Sequence, residues 1–132
     1  MPATVLLVDD DPNVLRGVVR LFRHQPFVFY TAHNAEEAME VLKSRAVDVL
    51  VTDDQMPGLC GIELLAWTAK HFPEVRRIML TGFPTTERII RAINESGVFR
   101  FFTKPCDPVA LALAIHQAVE EKPGIQKTKP AQ

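Results

Sequence analysis

A run of apolar and β-branched residues, Val47-Asp48-Val49-Leu50-Val51-Thr52, stops abruptly at Asp53-Asp54 and breaks at Gln55-Met56-Pro57-Gly58. A short stretch that apolar reads as a strand buried on both faces, as in a parallel sheet. Such a strand delivers the residue at its end to the carboxyl edge of the sheet, where open α/β folds hold their ligands. The stretch therefore makes Asp53 a candidate acceptor for a phosphoryl group, and the rest of the chain can be read around it.

Four more strands are predicted, at Thr4–Val8, Phe27–Ala32, Arg77–Leu80 and Phe99–Thr103, each followed by a helical pattern. Asp11-Pro12 reads as an N-cap with proline at the first helical position, and Asp107-Pro108 repeats the device. Asn34 with Glu37 three residues on is a variant capping box. Gly61 opens the third helix, and Gly97 closes a fourth that runs from near Thr85 to Ser96. Helical spacing predicts buried stripes Leu15/Val18/Val19/Phe22, Ala35/Ala38/Met39/Leu42 and Ile62/Leu65/Ala66/Ala69, with Trp67 on another face and partly exposed. Arg16, Arg20 and Arg23 fall on the far side of the first helix, as a solvated face or a docking face. The fifth helix carries two stripes, Leu111/Ala114/Ile115/Ala118 and Val109/Ala112/Leu113. One suffices for a core, so the second is either scattered surface or an interface, which leaves room for a homodimer.

Five strand–helix repeats predict an α/β fold: a doubly wound, five-stranded parallel sheet of order 2-1-3-4-5, with its crevice at the ends of strands one and three. The length, 132 residues, suits one such domain. Residues 1–121 are assigned to it, and Lys122 to Gln132, which lacks a periodic apolar face, reads as a linker or disordered tail. A net charge of −1 gives no pull towards nucleic acid or anionic membrane. No apolar run reaches a membrane span, and Cys60 and Cys106 read as free thiols of a reducing compartment, so a cytoplasmic location is expected. The histidines are too scattered for a zinc site.

The strand ends carry Asp9 and Asp10, Asp53, Thr81 and Lys104. Alone, each is ordinary: a cap, a turn, a strand exit. Together at one edge they make a chemistry. Three close carboxylates repel unless a hard cation with oxygen ligands joins them, and Mg²⁺ fits. Lys104 adds a positive charge, and Thr81 a hydroxyl donor for a phosphoryl oxygen. Asp53 is then the nucleophile, and the remaining requirements of phosphoryl transfer are positioning and electrostatics. A phosphohydrolase working through an aspartyl phosphate would need a carboxylate two residues further on, where Gln55 stands. A fold kept only as a binding module would not need the full set.

Val8-Asp9-Asp10-Asp11-Pro12, Asp53-x-x-Met56-Pro57-Gly58, Thr81-Gly82 and Phe101-x-x-Lys104-Pro105, in this order, resemble the receiver (CheY-like) domain of two-component response regulators, over roughly Thr4 to Glu121. The resemblance implies that Asp53 takes a phosphoryl group from a sensor histidine kinase or phosphotransfer protein. Asp9 and Asp10 would hold Mg²⁺, with Asp10 the direct ligand and the Gln55 backbone carbonyl completing the site. Thr81 and Phe101 would be the switch pair, and the face of helix four, strand five and helix five the output. It further implies no enzyme acting on a separate substrate, but a phosphoacceptor that assists its own phosphorylation and dephosphorylation, normally joined to an output domain. Asp54, Phe101 in place of the commoner tyrosine, Cys60 before Gly61, and Cys106 depart from the usual pattern. Thr81-Gly82-Phe83, Arg91-Ala92-Ile93-Asn94-Glu95 and Phe99 through Asp107 are similar to receivers joined to HD or HD-GYP phosphodiesterases or to hydrogenase-type transcriptional regulators.

Overall fold

In a parallel strand, backbone pairing is satisfied sideways and side chains alternate between the two faces, so each face must be covered. The computed structural model, which describes residues 2–82 and 85–120, builds this arrangement. The elements are β1 (Ala3–Val8), α1 (Pro12–Leu21), β2 (Phe27–Ala32), α2 (Ala35–Ser44), β3 (Val49–Asp53), α3 (Gly61–His71), β4 (Arg76–Thr81), α4 (Thr86–Ser96), β5 (Arg100–Thr103) and α5 (Pro108–Glu120). The strands are all parallel, in the order β2-β1-β3-β4-β5, so the expected doubly wound, flavodoxin-like sheet is borne out. The expected tail, 122–132, and Phe83 lie outside the described residues.

Each face of the sheet has its own core. Val5, Leu7, Val49, Val51, Ile78 and Leu80 pack with Leu15 of α1, with Phe22 at its C-cap, and with the Leu111/Ala114/Ile115/Ala118 stripe of α5. Leu6, Val8, Leu50 and Met79 pack on the other side with Ala38 and Leu42 of α2, Ile62, Leu64 and Leu65 of α3, and Ala92 of α4. The central strand β3 is buried at every residue, whereas β5, at the sheet edge, is buried at none.

Local chemistry sets the helix ends. Asp11 Oδ1 accepts from the Asn13 N–H at 2.9 Å, and Asn34 Oδ1 from the Glu37 N–H at 2.8 Å. Glu37 Oε1 answers by accepting from the His33 N–H at 2.8 Å, one residue before the cap, which is the variation on the capping box. Asp107 Oδ1 accepts from the Val109 N–H at 3.1 Å. Gly97 closes α4 with φ 59°, ψ 47°, the left-handed geometry that glycine adopts without a Cβ clash.

Strand bounds shift by a residue or two, β4 to Arg76–Thr81 and β5 to Arg100–Thr103, and one buried face changes. β3 runs Val49–Asp53 and not Val47–Thr52, so Asp53 is the last residue of the strand and not the first beyond it. Asp48 stands outside because its carboxylate accepts from the Thr4 N–H at 2.8 Å. In α3 the buried positions are Gly61, Ile62, Leu64, Leu65 and Thr68, while Ala66 and Ala69 are half-buried. This helix is covered by the sheet and also by α2 and α4, so its buried arc is wider than one stripe. Of the two α5 stripes, Val109 and Leu113 are 65% and 58% exposed, so the second lies on the outside of the single chain, open to solvent or to a partner.

Candidate functional site

The pleat sorts the strand ends into two groups. The alternation that sends Val5, Leu7, Val49 and Val51 to the α1/α5 side sends Asp9 and Asp53 the same way. Phe102 lies in that core too, and Lys104 follows it by two residues. The opposite alternation, through Leu6, Leu50 and Met79, sends Asp54 and Thr81 towards α3 and α4. Backbone bonds extend the ladder past the strand ends and keep this parity: Asp9 N–H to Ala32 O at 3.1 Å, Asp54 N–H to Leu80 O at 3.0 Å, and Lys104 N–H to Thr81 O at 2.8 Å.

On the first side, Lys104 Nζ donates to Asp9 Oδ2 at 2.9 Å and pairs with Asp53 Oδ2 at 3.1 Å. Asp53 Oδ1 accepts from the Gln55 N–H at 3.4 Å, and Asp9 Oδ1 from the Asp11 N–H at 2.9 Å. Asp9, Asp10 and Asp53 each offer an oxygen within 4.8 Å of the others. Asp9 and Asp53 are buried and Asp10 is exposed, so the cluster opens to solvent on one side. Three carboxylates against one ammonium leave a formal excess of two negative charges, all on hard oxygen donors. That donor set fits Mg²⁺, which prefers few carboxylates and keeps waters.

Burial pushes the Asp53 carboxyl above the ordinary aspartate range, the Lys104 hydrogen bond and charge pull it back, and the Asp9 charge pushes it up again. For Lys104, burial acts to lower the ammonium, but the hydrogen bonds and charges of Asp9 and Asp53 outweigh it and leave the group raised. Lys104 therefore stays charged, a fixed cation between two carboxylates.

On the second side, the Thr81 hydroxyl donates to Asp54 Oδ2 at 3.0 Å, and Arg88 Nη1 of α4 meets the same oxygen at 2.9 Å. Sequence places Thr81 at the common edge, but the structure turns its hydroxyl to Asp54. Phe101 pairs in register with Met79, two residues before Thr81, so it shares the Thr81 face; its ring is 37% exposed. The Gln55 side chain is exposed, and its backbone contributes the N–H noted above. Sequence reading missed Arg88: it pairs across 34 positions, and no local spacing announces such a contact.

A parallel α/β sheet whose switch-point crevice clusters three carboxylates, two of them bridged by a lysine, is built to hold a phosphoryl group beside a hard cation. The chain belongs to the response regulator receiver domain family, which matches residues 5–116. It is therefore a receiver domain of the two-component kind, and receiver domains are regulatory phosphoacceptors that bind Mg²⁺ through acidic residues. It is 36% identical to the hydrogenase transcriptional regulatory protein HoxA of Cupriavidus necator, over 94% of this chain and 25% of that protein. It is 35% identical to the transcriptional regulatory protein GlrR of Escherichia coli, over 91% of this chain and 27% of that one. Among solved structures, the signal receiver domain of an HD domain-containing protein from Pseudomonas fluorescens superposes with a TM-score of 0.88 at 35% identity, covering 91% of this chain and 96% of that domain. The expected likeness to HD-linked and hydrogenase-type receivers is thus found. The chain spans about a quarter of the length of the curated relatives it matches.

Proposed function

We propose that Asp53 is the phosphoacceptor of this domain and that Asp9, Asp10, Asp53 and the Gln55 backbone carbonyl hold Mg²⁺ for the transfer. The observation that carries this reading is the Asp53 carboxylate, buried at the end of the central strand, 3.1 Å from Lys104 Nζ and clustered with Asp9 and Asp10. An oxygen of Asp53 attacks the phosphorus of a phosphohistidine on a sensor kinase or phosphotransfer protein. The O–P bond forms as the P–N bond breaks, and the histidine nitrogen leaves with the electron pair. When bound, Mg²⁺ supplies charge compensation and a coordination position for a phosphoryl oxygen. Lys104, already held in the crevice, offsets the charge that develops on the transferring group without having to reorganise.

Thr81 then donates its hydroxyl to the phosphoryl group, and Phe101, on the same face of the sheet, turns into the space this opens. The change is a population shift of the α4–β5–α5 face, read by an output domain attached in the full-length protein. The same crevice assists hydrolysis of the aspartyl phosphate, so the domain times its own signal without acting on a separate substrate. We place it in the cytoplasm with its kinase. Free Cys60 and Cys106 support this, and no helix among the described residues is long and apolar enough to cross a membrane.

The test is intact-protein mass after incubation with acetyl phosphate, with and without Mg²⁺, on wild type and Asp53→Ala. One added phosphoryl group that requires both Mg²⁺ and Asp53 is expected. Equal labelling of Asp53→Ala would sink the assignment.

A further inference from the structure

Asp54 is a fully buried carboxylate next to the acceptor, on the opposite face of the strand, and the transfer chemistry makes no use of it. Its backbone is pinned on both sides: its N–H donates to Leu80 O at 3.0 Å, and its carbonyl accepts from the Gly61 N–H at 3.0 Å. β3, β4 and the start of α3 thus fix the main chain that carries its side chain. Oδ2 receives both the Thr81 hydroxyl at 3.0 Å and Arg88 Nη1 at 2.9 Å. Among the described residues, Oδ1 has no hydrogen-bond partner. A buried carboxylate with one oxygen unsatisfied is a poor device for stability, since an apolar side chain of similar size would fill the space without the desolvation. Its presence calls for another explanation, and the groups it grips supply one.

We propose that Asp54 is a positioning residue of the phosphoryl switch, holding the Thr81 hydroxyl, and through Arg88 the first turn of α4, in the unphosphorylated arrangement. The proposal rests on the role given to Thr81 above. A hydroxyl has one hydrogen to donate. While it is given to Asp54 it is not available to a phosphoryl oxygen on Asp53, so phosphorylation must win Thr81 from Asp54. Because Arg88 shares the same oxygen, releasing Thr81 alters the partner of α4 in the same event. Asp54 thus sets how far the resting equilibrium lies from the active one, without touching the transferring group.

A double-mutant cycle tests this. The probe is beryllium trifluoride with Mg²⁺, which mimics a phosphoryl group on a carboxylate, and its affinity is measured by calorimetry. The proteins are wild type, Asp54→Leu, Thr81→Ala and the double variant. Loss of a charge-assisted hydrogen bond should tighten binding to Asp54→Leu by roughly tenfold over wild type. With Thr81→Ala in the background, the same change should leave affinity within about twofold, because no hydroxyl remains to be released. Equal tightening in both backgrounds would overturn the proposal, since Asp54 would then act only by repelling the anion. No tightening in wild type would overturn it as well. If Thr81→Ala changes affinity in neither Asp54 background, the role of Thr81 itself fails. If Thr81 matters and Asp54 does not, only the latch fails. Should Asp54→Leu not fold, Asp54→Ala removes the same acceptor and is read in the same cycle.

Discussion

A side chain at position 61 would collide with the acceptor strand. A Cβ built on Gly61 would overlap the Asp53 carbonyl oxygen and lie 2.7 Å from Asp54 Cα, both backbone atoms that cannot swing aside. Gly61→Ala should therefore destabilise the domain by about 3 kcal/mol, the upper part of the usual overpacking range. Urea unfolding would measure this, and labelling at Asp53 should fall with it, because the strand end must shift to make room. At this scale the sequence was informative where a rule of period two applied. Asp9, Asp53 and Lys104 stand at strand ends of matching parity, and apolar strands that stop at polar residues reveal such positions. It was silent where contact depends on three-dimensional packing. Which way the Thr81 hydroxyl turns, and that Arg88 reaches Asp54, depend on how α4 packs beside α3 at the sheet, and no short-range pattern records that.

The two stripes of α5 make opposite predictions at the scale of the element. Ile115 is fully buried among the residues of α1 and the sheet, so Ile115→Ala should lose about 3 kcal/mol in urea unfolding. Leu113, mostly exposed, should change stability by no more than about 0.5 kcal/mol when replaced by alanine. A large loss at Leu113 would mean that its stripe is covered in solution. Helix starts were legible because caps are local chemistry: Asp11, Asn34 and Asp107 each bond an N–H two or three residues away. The buried face of α3 was less legible. Thr68 looks polar in the sequence, but its hydroxyl donates to Leu64 O at 2.8 Å, so it can be buried without penalty.

Across the whole molecule, burial falls from the centre of the sheet to the β5 edge. β3 is buried at all of its residues and bonded on both sides, by β1 and β4. β5 is short, has one neighbour, and leaves Phe101 partly exposed. Hydrogen exchange should follow this order, with the ladder amides of Val49 to Thr52 slower than those of Arg100 to Thr103 by roughly a hundredfold or more. Uniform protection across the two strands would contradict the gradient. The gradient also separates two jobs. On the proposed reading, the acceptor Asp53 is mounted on the stiffest strand, like a sensor bolted to a frame, and the readout hangs on the lightest arm, like a pointer. A light pointer moves for a small input, but it also trembles without one. An edge that a single phosphoryl group can redirect is one that heat alone will sometimes redirect, so a receiver built this way carries a background signal. Its sensitivity and its noise floor then come from the same four residues of β5.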